Sequence, residues 1–231
     1  MKKTLWIISA LVAIITAVAI QFMPDKIPAH YNLSGEIDRF GSKYELLIYP
    51  VIIFIMNIFW VVIIKNFEKK ALNATDEKIS AQCFSNIKVV SITAVVVTLF
   101  QTALHIFSIV RAYNISQSGV EYLEIDSMKI TCFLIGMMFI VCGNFLPKTK
   151  NNGTIGLRIS WSMYNDTTWN KSNRFAGIAL MISGVVTMIS CAFIGGAGII
   201  ILMLMYLTVV VVASSVYAHK IYNEELAKTN K

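Results

Sequence analysis

Between two apolar stretches the sequence sets the segment MPDKIPAHYNLSGEIDRFGSK, residues 23–43. It brings Asp25, His30, Asn32, Glu36 and Asp38 close together in the chain. Carboxylates beside an imidazole suit a divalent cation. The same groups also suit a binding surface for a cationic or amphipathic peptide. A third reading is a folded cap, in which His30 and Asn32 hydrogen-bond loop backbone while Gly35 and Gly41 serve turns.

Two further groups stand out. Gln101 and His105 are four apart inside an apolar run, with Ser108 next on the same helical face. A histidine within a membrane span is costly unless it faces other helices, so it marks either a functional site or an interhelical hydrogen bond. Asn57, in another apolar run, is a plausible partner for it. The second group is Arg158, Trp161, Trp169 and Arg174, in a polar stretch that also carries Tyr164 and Lys171. Such residues either anchor a protein in the headgroup layer or offer a docking surface to a partner.

The elements that must position these residues are long and apolar. Of 231 residues 56% are hydrophobic and 14% charged, where a soluble domain carries about 25% charged. The apolar residues come in six runs: Thr4–Met23, Leu46–Ile64, Val89–Val110, Ile130–Leu146, Phe175–Ile194 and Ile199–Val216. Each is near the roughly 20 residues that cross a bilayer and is apolar all round. The expected fold is therefore all-α, an integral membrane bundle of six transmembrane helices. The first run also has Lys2, Lys3 and an Ala17-Val18-Ala19 match to a signal-peptidase site, but it continues apolar to Met23, so an uncleaved first helix is expected.

Lys and Arg fix the expected orientation. With the N-terminus inside, only Lys26, Arg39, Lys43, Arg111 and Lys129 of the 20 Lys and Arg lie outside. This bias puts both termini in the cytoplasm and residues 24–45 outside. The net charge of +7 then reflects topology, not direct nucleic-acid binding. The connection 65–88 is expected to extend the helices beyond the lipid. In the connection 147–174, Pro147 ends the fourth helix, Asn151-Asn152-Gly153 signals a turn, and Asn165 or Asp166 caps the fifth. Gly195 to Gly198 form a tight turn. The chain divides into an N-terminal hairpin with its outer loop (1–65), a variable segment with the third span (66–127) and a C-terminal region of three spans with the polar inner loop (128–231).

Enzymatic motifs are missing from the sequence: there is no HExxH, GxSxG, P-loop or dinucleotide-type glycine turn. Cys83, Cys132, Cys142 and Cys191 show neither CxxC nor Cys/His metal spacing and read as small packing residues. Neither a cofactor nor a metal is expected.

Both polar loops resemble known families. The outer loop, with Met23-Pro24, the Pro-x-His-x-Asn core from Pro28 to Asn32, the Gly-x-x-Asp from Gly35 to Asp38 and Gly41-Ser42-Lys43, resembles the loop of a widespread uncharacterised bacterial membrane domain. The inner stretch IGLRISWSMYNDTTWNKSNRFAG resembles the SdpI family signature, through Gly156, Leu157, Arg158, Trp161, Trp169, Asn173, Arg174, Phe175 and Gly177. GNFLPK, Gly143 to Lys148, resembles its lead-in. Ile159-Ser160 departs from the usual Thr-Pro and removes a fixed φ before Trp161. The resemblance implies a bacterial plasma-membrane immunity protein against a secreted toxin or antimicrobial peptide, in a family whose founding member also holds a small DNA-binding autorepressor at the membrane. It implies toxin or ligand contacts at Asp25, Pro28, His30, Asn32, Gly35 and Asp38. It implies docking of a cytoplasmic winged-helix repressor at Gly156, Arg158, Trp161, Trp169, Asn173 and Arg174, beside membrane lipid. A sensor without an immunity role and a metal-dependent membrane enzyme are the alternatives.

Overall fold

A computed structural model describes residues 1–32, 36–118 and 126–229 of the chain. Among the described residues six helices are long and apolar enough to cross a membrane. They are α1 (Lys2–Phe22), α2 (Ile48–Leu72), α3 (Glu77–Ser118), α4 (Ser127–Phe145), α5 (Asp166–Phe193) and α6 (Gly196–Thr229). The expected membrane bundle is present. Most of its large apolar side chains face outward, among them Ile7, Ile14, Phe54, Ile182, Val209 and Val216. That is the distribution a lipid solvent favours, since lipid tails are as apolar as the core.

The bundle has two ends, called inner and outer after the orientation expected from the Lys and Arg distribution. Both ends of the described chain lie at the inner one, where Lys2 at the start of α1 pairs with Glu68 near the end of α2 at 2.7 Å. As expected, the connection after the second span is mostly helix: α2 runs to Leu72 and α3 starts at Glu77. The Asp76 carboxylate accepts the Lys78 N–H at 2.7 Å, helping to satisfy the open donors of the α3 N-terminus.

At the outer end the expected polar loop contains strand structure that the sequence reading did not include. The segment after α1 is an antiparallel hairpin, β1 (Lys26–Tyr31) and β2 (Ile37–Ser42), followed by a 3-10 turn over Lys43–Leu47. Pro28 faces Phe40 and His30 faces Arg39, with irregular register on both sides of His30. A proline is tolerated because a two-stranded ribbon consists only of edge strands. Ser42 caps the 3-10 turn in a capping box with Glu45. Ile27 and Met23 bury themselves against Ile20, Leu46, Ile109 and Ala112, which seats the hairpin on α1 and α3.

The helices group into α1–α3 and α4–α6, with α3 and α4 forming the helix contact between the two groups. In the second group α4 and α5 approach very closely. A Cβ on Gly143 would lie 2.7 Å from the Gly177 carbonyl oxygen, and one on Gly136 would lie 2.8 Å from that of Gly184. The two glycine pairs are seven residues apart on each helix, and this small-residue packing lets the backbones touch.

Candidate functional site

At the outer end the hairpin, the 3-10 turn, α3 and α4 enclose a cleft of about 470 Å³. Tyr31, Arg39, His30 and Glu45 line it from the hairpin side, Ser108 and Arg111 from α3, and Ser127 and Met128 from α4. The Arg111 guanidinium lies over the Tyr31 ring, 3.6 Å from its centroid. Such a desolvated cation–π contact is worth about 2 kcal/mol. Burial raises the Tyr31 phenol above its ordinary pKa, opposed in part by Arg111, so the ring stays neutral.

The sequence-predicted outer residues fall mostly on the hairpin. His30 Nδ1 and Asp38 Oδ1 are 2.7 Å apart across the strands. The Asn32 side chain closes the hairpin: its Nδ2 donates to Glu36 Oε2 at 2.8 Å and its Oδ1 accepts the Glu36 N–H at 3.0 Å. Asp25 pairs with Lys43 at 3.1 Å. Pro28 is buried and lines the cleft. Gly35 lies outside the described residues. Arg39 makes two contacts with Glu45, at 3.1 and 2.8 Å. Those contacts hold the Glu45 carboxyl below its ordinary range and raise the guanidinium of Arg39. Folded-cap bonding and an open cleft are therefore built from one set of residues. Among the described residues no three His, Cys, Asp or Glu side chains group to hold a metal ion, so the metal reading of this loop has no ligand set there.

Beneath the cleft two polar layers cross the first three helices. In the inner layer Asn57 Nδ2 donates to Ser9 Oγ at 2.8 Å and to the Leu5 carbonyl at 3.2 Å, and Thr98 donates to Asn57 Oδ1 at 2.7 Å. In the outer layer Thr16 Oγ1 lies 2.8 Å from His105 Nε2, and the His105 ring stacks on Tyr49, which lines the cleft. Thr16 donates its hydrogen to the Val12 carbonyl at 2.8 Å, which leaves it to accept from the Nε2–H of His105. The expected Asn57–His105 pairing is thus replaced by Asn57–Thr98. Thr98 is seven residues, about 10 Å of helix, inward of His105. Gln101 does not join His105; its Oε1 is buried without a partner.

At the inner end the loop 147–165 folds onto the start of α5. Trp169 is fully buried and donates its indole N–H to the Thr149 carbonyl at 3.0 Å. Asn173, also fully buried, accepts the Leu157 N–H at 2.7 Å and donates to the Trp169 carbonyl at 3.1 Å. Gly156 has φ +106, and a Cβ there would lie 2.7 Å from Asn173 Oδ1. Trp169 and Asn173, two of the six expected docking residues, therefore hold the loop from inside, and a fully buried side chain cannot offer a docking face; Gly156 is half-buried against them. Arg158, Trp161 and Arg174 are exposed. Asn165 caps α5 as expected, in a capping box with Thr168.

Sequence reasoning missed several contributors. Ser162 is buried, its hydroxyl lies within hydrogen-bond reach of the Leu157 and Ile159 carbonyls, and its Oγ accepts the Ile159 N–H, which shapes the turn at Ile159-Ser160. Ser9 with Thr16 and Thr98 with His105 are each seven apart, a spacing that marks one face over two turns and could have revealed the polar layers. Tyr31 and Arg111 gave no local signal of their contact.

The fold and these two loops define a multi-pass membrane protein with a hairpin-capped outer cleft and a folded inner loop. Residues 7–54, which span α1, the hairpin and the start of α2, match a domain of unknown function, DUF1648. Residues 148–218, the inner loop with α5 and most of α6, match the SdpI/YfhL protein family. Over 227 residues the chain is 23% identical to Immunity protein SdpI of Bacillus subtilis (strain 168), covering 96% of this chain and 97% of that one. No solved structure matches it.

Proposed function

We propose that the protein is a non-enzymatic membrane immunity protein, protecting its cell from a secreted antimicrobial peptide or toxin that it engages at the outer cleft. The carrying observation is that cleft: about 470 Å³, walled by Ile27, Leu46, Phe107 and Met128, with Arg111 over Tyr31 and the His30–Asp38 pair at its side. Apolar walls with a few placed polar groups are the usual make-up of a binding pocket. The similarity to an immunity protein along nearly the whole chain supports the same reading. Holding a repressor is a separate activity at the opposite end of the bundle, and immunity does not depend on it.

The test is survival of a sensitive host exposed to a candidate toxin while expressing the wild type, His30→Ala with Asp38→Ala, or Tyr31→Ala. Loss of protection at wild-type membrane abundance is expected for both variants. Full protection by both, or a loss matched by loss of the protein itself, would return the hairpin to the role of a structural cap.

A further inference from the structure

We propose that the inner loop and α6 together form a binding site for the headgroup of an anionic phospholipid, centred on Arg158 and Arg174 and flanked by Trp161. The two arginines leave the loop from either side of one hydrogen bond: Leu157 donates its N–H to Asn173 Oδ1 at 2.7 Å, Arg158 follows Leu157, and Arg174 follows Asn173. The buried Trp169 and Asn173 fix both backbones. Both arginines are exposed, as are Lys171 and Lys220. Two nearby acids are already taken, Asp166 by Lys78 at 2.9 Å and Glu225 by Lys228 at 2.7 Å, and Glu225 also partly offsets Lys171, which leaves Arg158, Arg174 and Lys220. Positive charge is therefore left over at this corner.

The site's depth selects lipid. The apolar run of α5 begins at Phe175 and that of α6 ends at Val216. The Phe175 ring stacks on Tyr217 with centroids 4.4 Å apart, so the two boundaries lie at one height. Half a turn beyond Tyr217, His219 packs against Trp161 at 4.5 Å, and Tyr222 packs against Tyr164 at 5.1 Å. Trp161 and Tyr164 nevertheless remain 37% and 42% exposed. Exposed Trp and Tyr at the edge of the hydrocarbon are placed for the glycerol level. Guanidinium groups just beyond them fit phosphate, which they can bind in a two-pronged way that an ammonium cannot.

The full-length protein, purified in detergent, is titrated with phosphatidylglycerol or phosphatidylcholine, and retained lipid is counted by native mass spectrometry. Three variants accompany the wild type: Arg158→Gln with Arg174→Gln, Arg158→Lys with Arg174→Lys, and Lys69→Gln with Lys70→Gln. The last removes the same charge at the same end, on α2. Wild type should retain phosphatidylglycerol over phosphatidylcholine. The glutamine variant should bind phosphatidylglycerol about thirtyfold more weakly, the lysine variant should fall between, and the α2 variant should match wild type. Equal weakening in the α2 variant would reduce the effect to general attraction and overturn the site. So would a glutamine variant that keeps wild-type lipid, including one that loses a co-purifying cytoplasmic protein instead. Unchanged thermal unfolding midpoints establish that the comparison is between folded proteins.

Discussion

Asp126 ties two helix starts together at the outer end of the bundle. Its Oδ1 accepts the backbone N–H of Met128 and Lys129 at 2.9 and 3.3 Å, capping α4, while its Oδ2 accepts the N–H of Gly196 at the start of α6 at 2.7 Å. One carboxylate thus satisfies donors of two N-termini, where negative charge is also favoured by both helix dipoles. Asp126→Ala should cost about 1–2 kcal/mol from the lost cap alone. Asp126→Asn, which keeps an acceptor without the charge, should cost less. Thermal unfolding in detergent would check this order. Equal midpoints for wild type and Asp126→Ala would show that the bridge contributes nothing.

The two polar layers make opposite predictions. Asn57 bonds to groups on α1 and α3, so Asn57→Leu removes three bonds and should destabilise the protein by about 1–2 kcal/mol. His105 has one side-chain partner, Thr16, and Thr16 keeps its bond to Val12 without it. Its Nδ1 is buried without any partner. His105→Phe removes that unsatisfied nitrogen and keeps a ring to stack on Tyr49, so stability should stay within about 0.5 kcal/mol of wild type. A larger drop for His105→Phe than for Asn57→Leu would refute the assignment of the structural load to the inner layer.

The spans were readable because lipid demands an unbroken apolar run, which shows in sequence without any partner. The hairpin was not, because β1 holds Pro28, is six residues long and lacks clean alternation, so nothing separates it from loop until Phe40 and Arg39 lie opposite. The Asn57 partner was ambiguous for a different reason. Thr98 and His105 share one face of α3, and only the vertical position of α2 against α3 chooses between them. The inner loop divided in the same way. Trp169 and Trp161 are the same residue type in one motif, and it is folding that buries the first and exposes the second. Capping was legible at Asn165, where side chain and helix start are neighbours, and hidden at Asp126, whose second partner is 70 residues away.

Acid should loosen the outer cap. The Glu45 carboxyl is held below its ordinary value of 4.5, first by its bond from Arg39 and further by the Ser42 N–H. A carboxylate with a depressed folded pKa contributes stability that is fully present above its unfolded pKa and is lost as pH falls through the folded one. Hydrogen exchange over residues 37–47 should therefore be unchanged, after correction for intrinsic rates, from pH 7 down to about pH 5 and should accelerate below about pH 4. In Glu45→Gln the acid-induced step should vanish and protection at pH 7 should already be reduced. A step that persists in Glu45→Gln would assign it to another group.

Orientation is the remaining expectation open to a direct test, and the charges decide it. Of the 19 Lys and Arg among the described residues, the hairpin end carries five, namely Lys26, Arg39, Lys43, Arg111 and Lys129, and the other end carries fourteen. The positive-inside rule then places the hairpin outside and both termini in the cytoplasm. Two single-cysteine variants in a background lacking the four native cysteines separate the alternatives. Lys26→Cys stands exposed on β1 and Ser160→Cys stands exposed on the inner loop. An impermeant maleimide applied to intact cells should label the first and spare the second until the membrane is opened. The immunity reading depends on the same result, since a peptide arriving from outside reaches the cleft only if the hairpin faces it. Labelling of Ser160→Cys alone in intact cells would invert the topology and remove the cleft from any secreted toxin's reach.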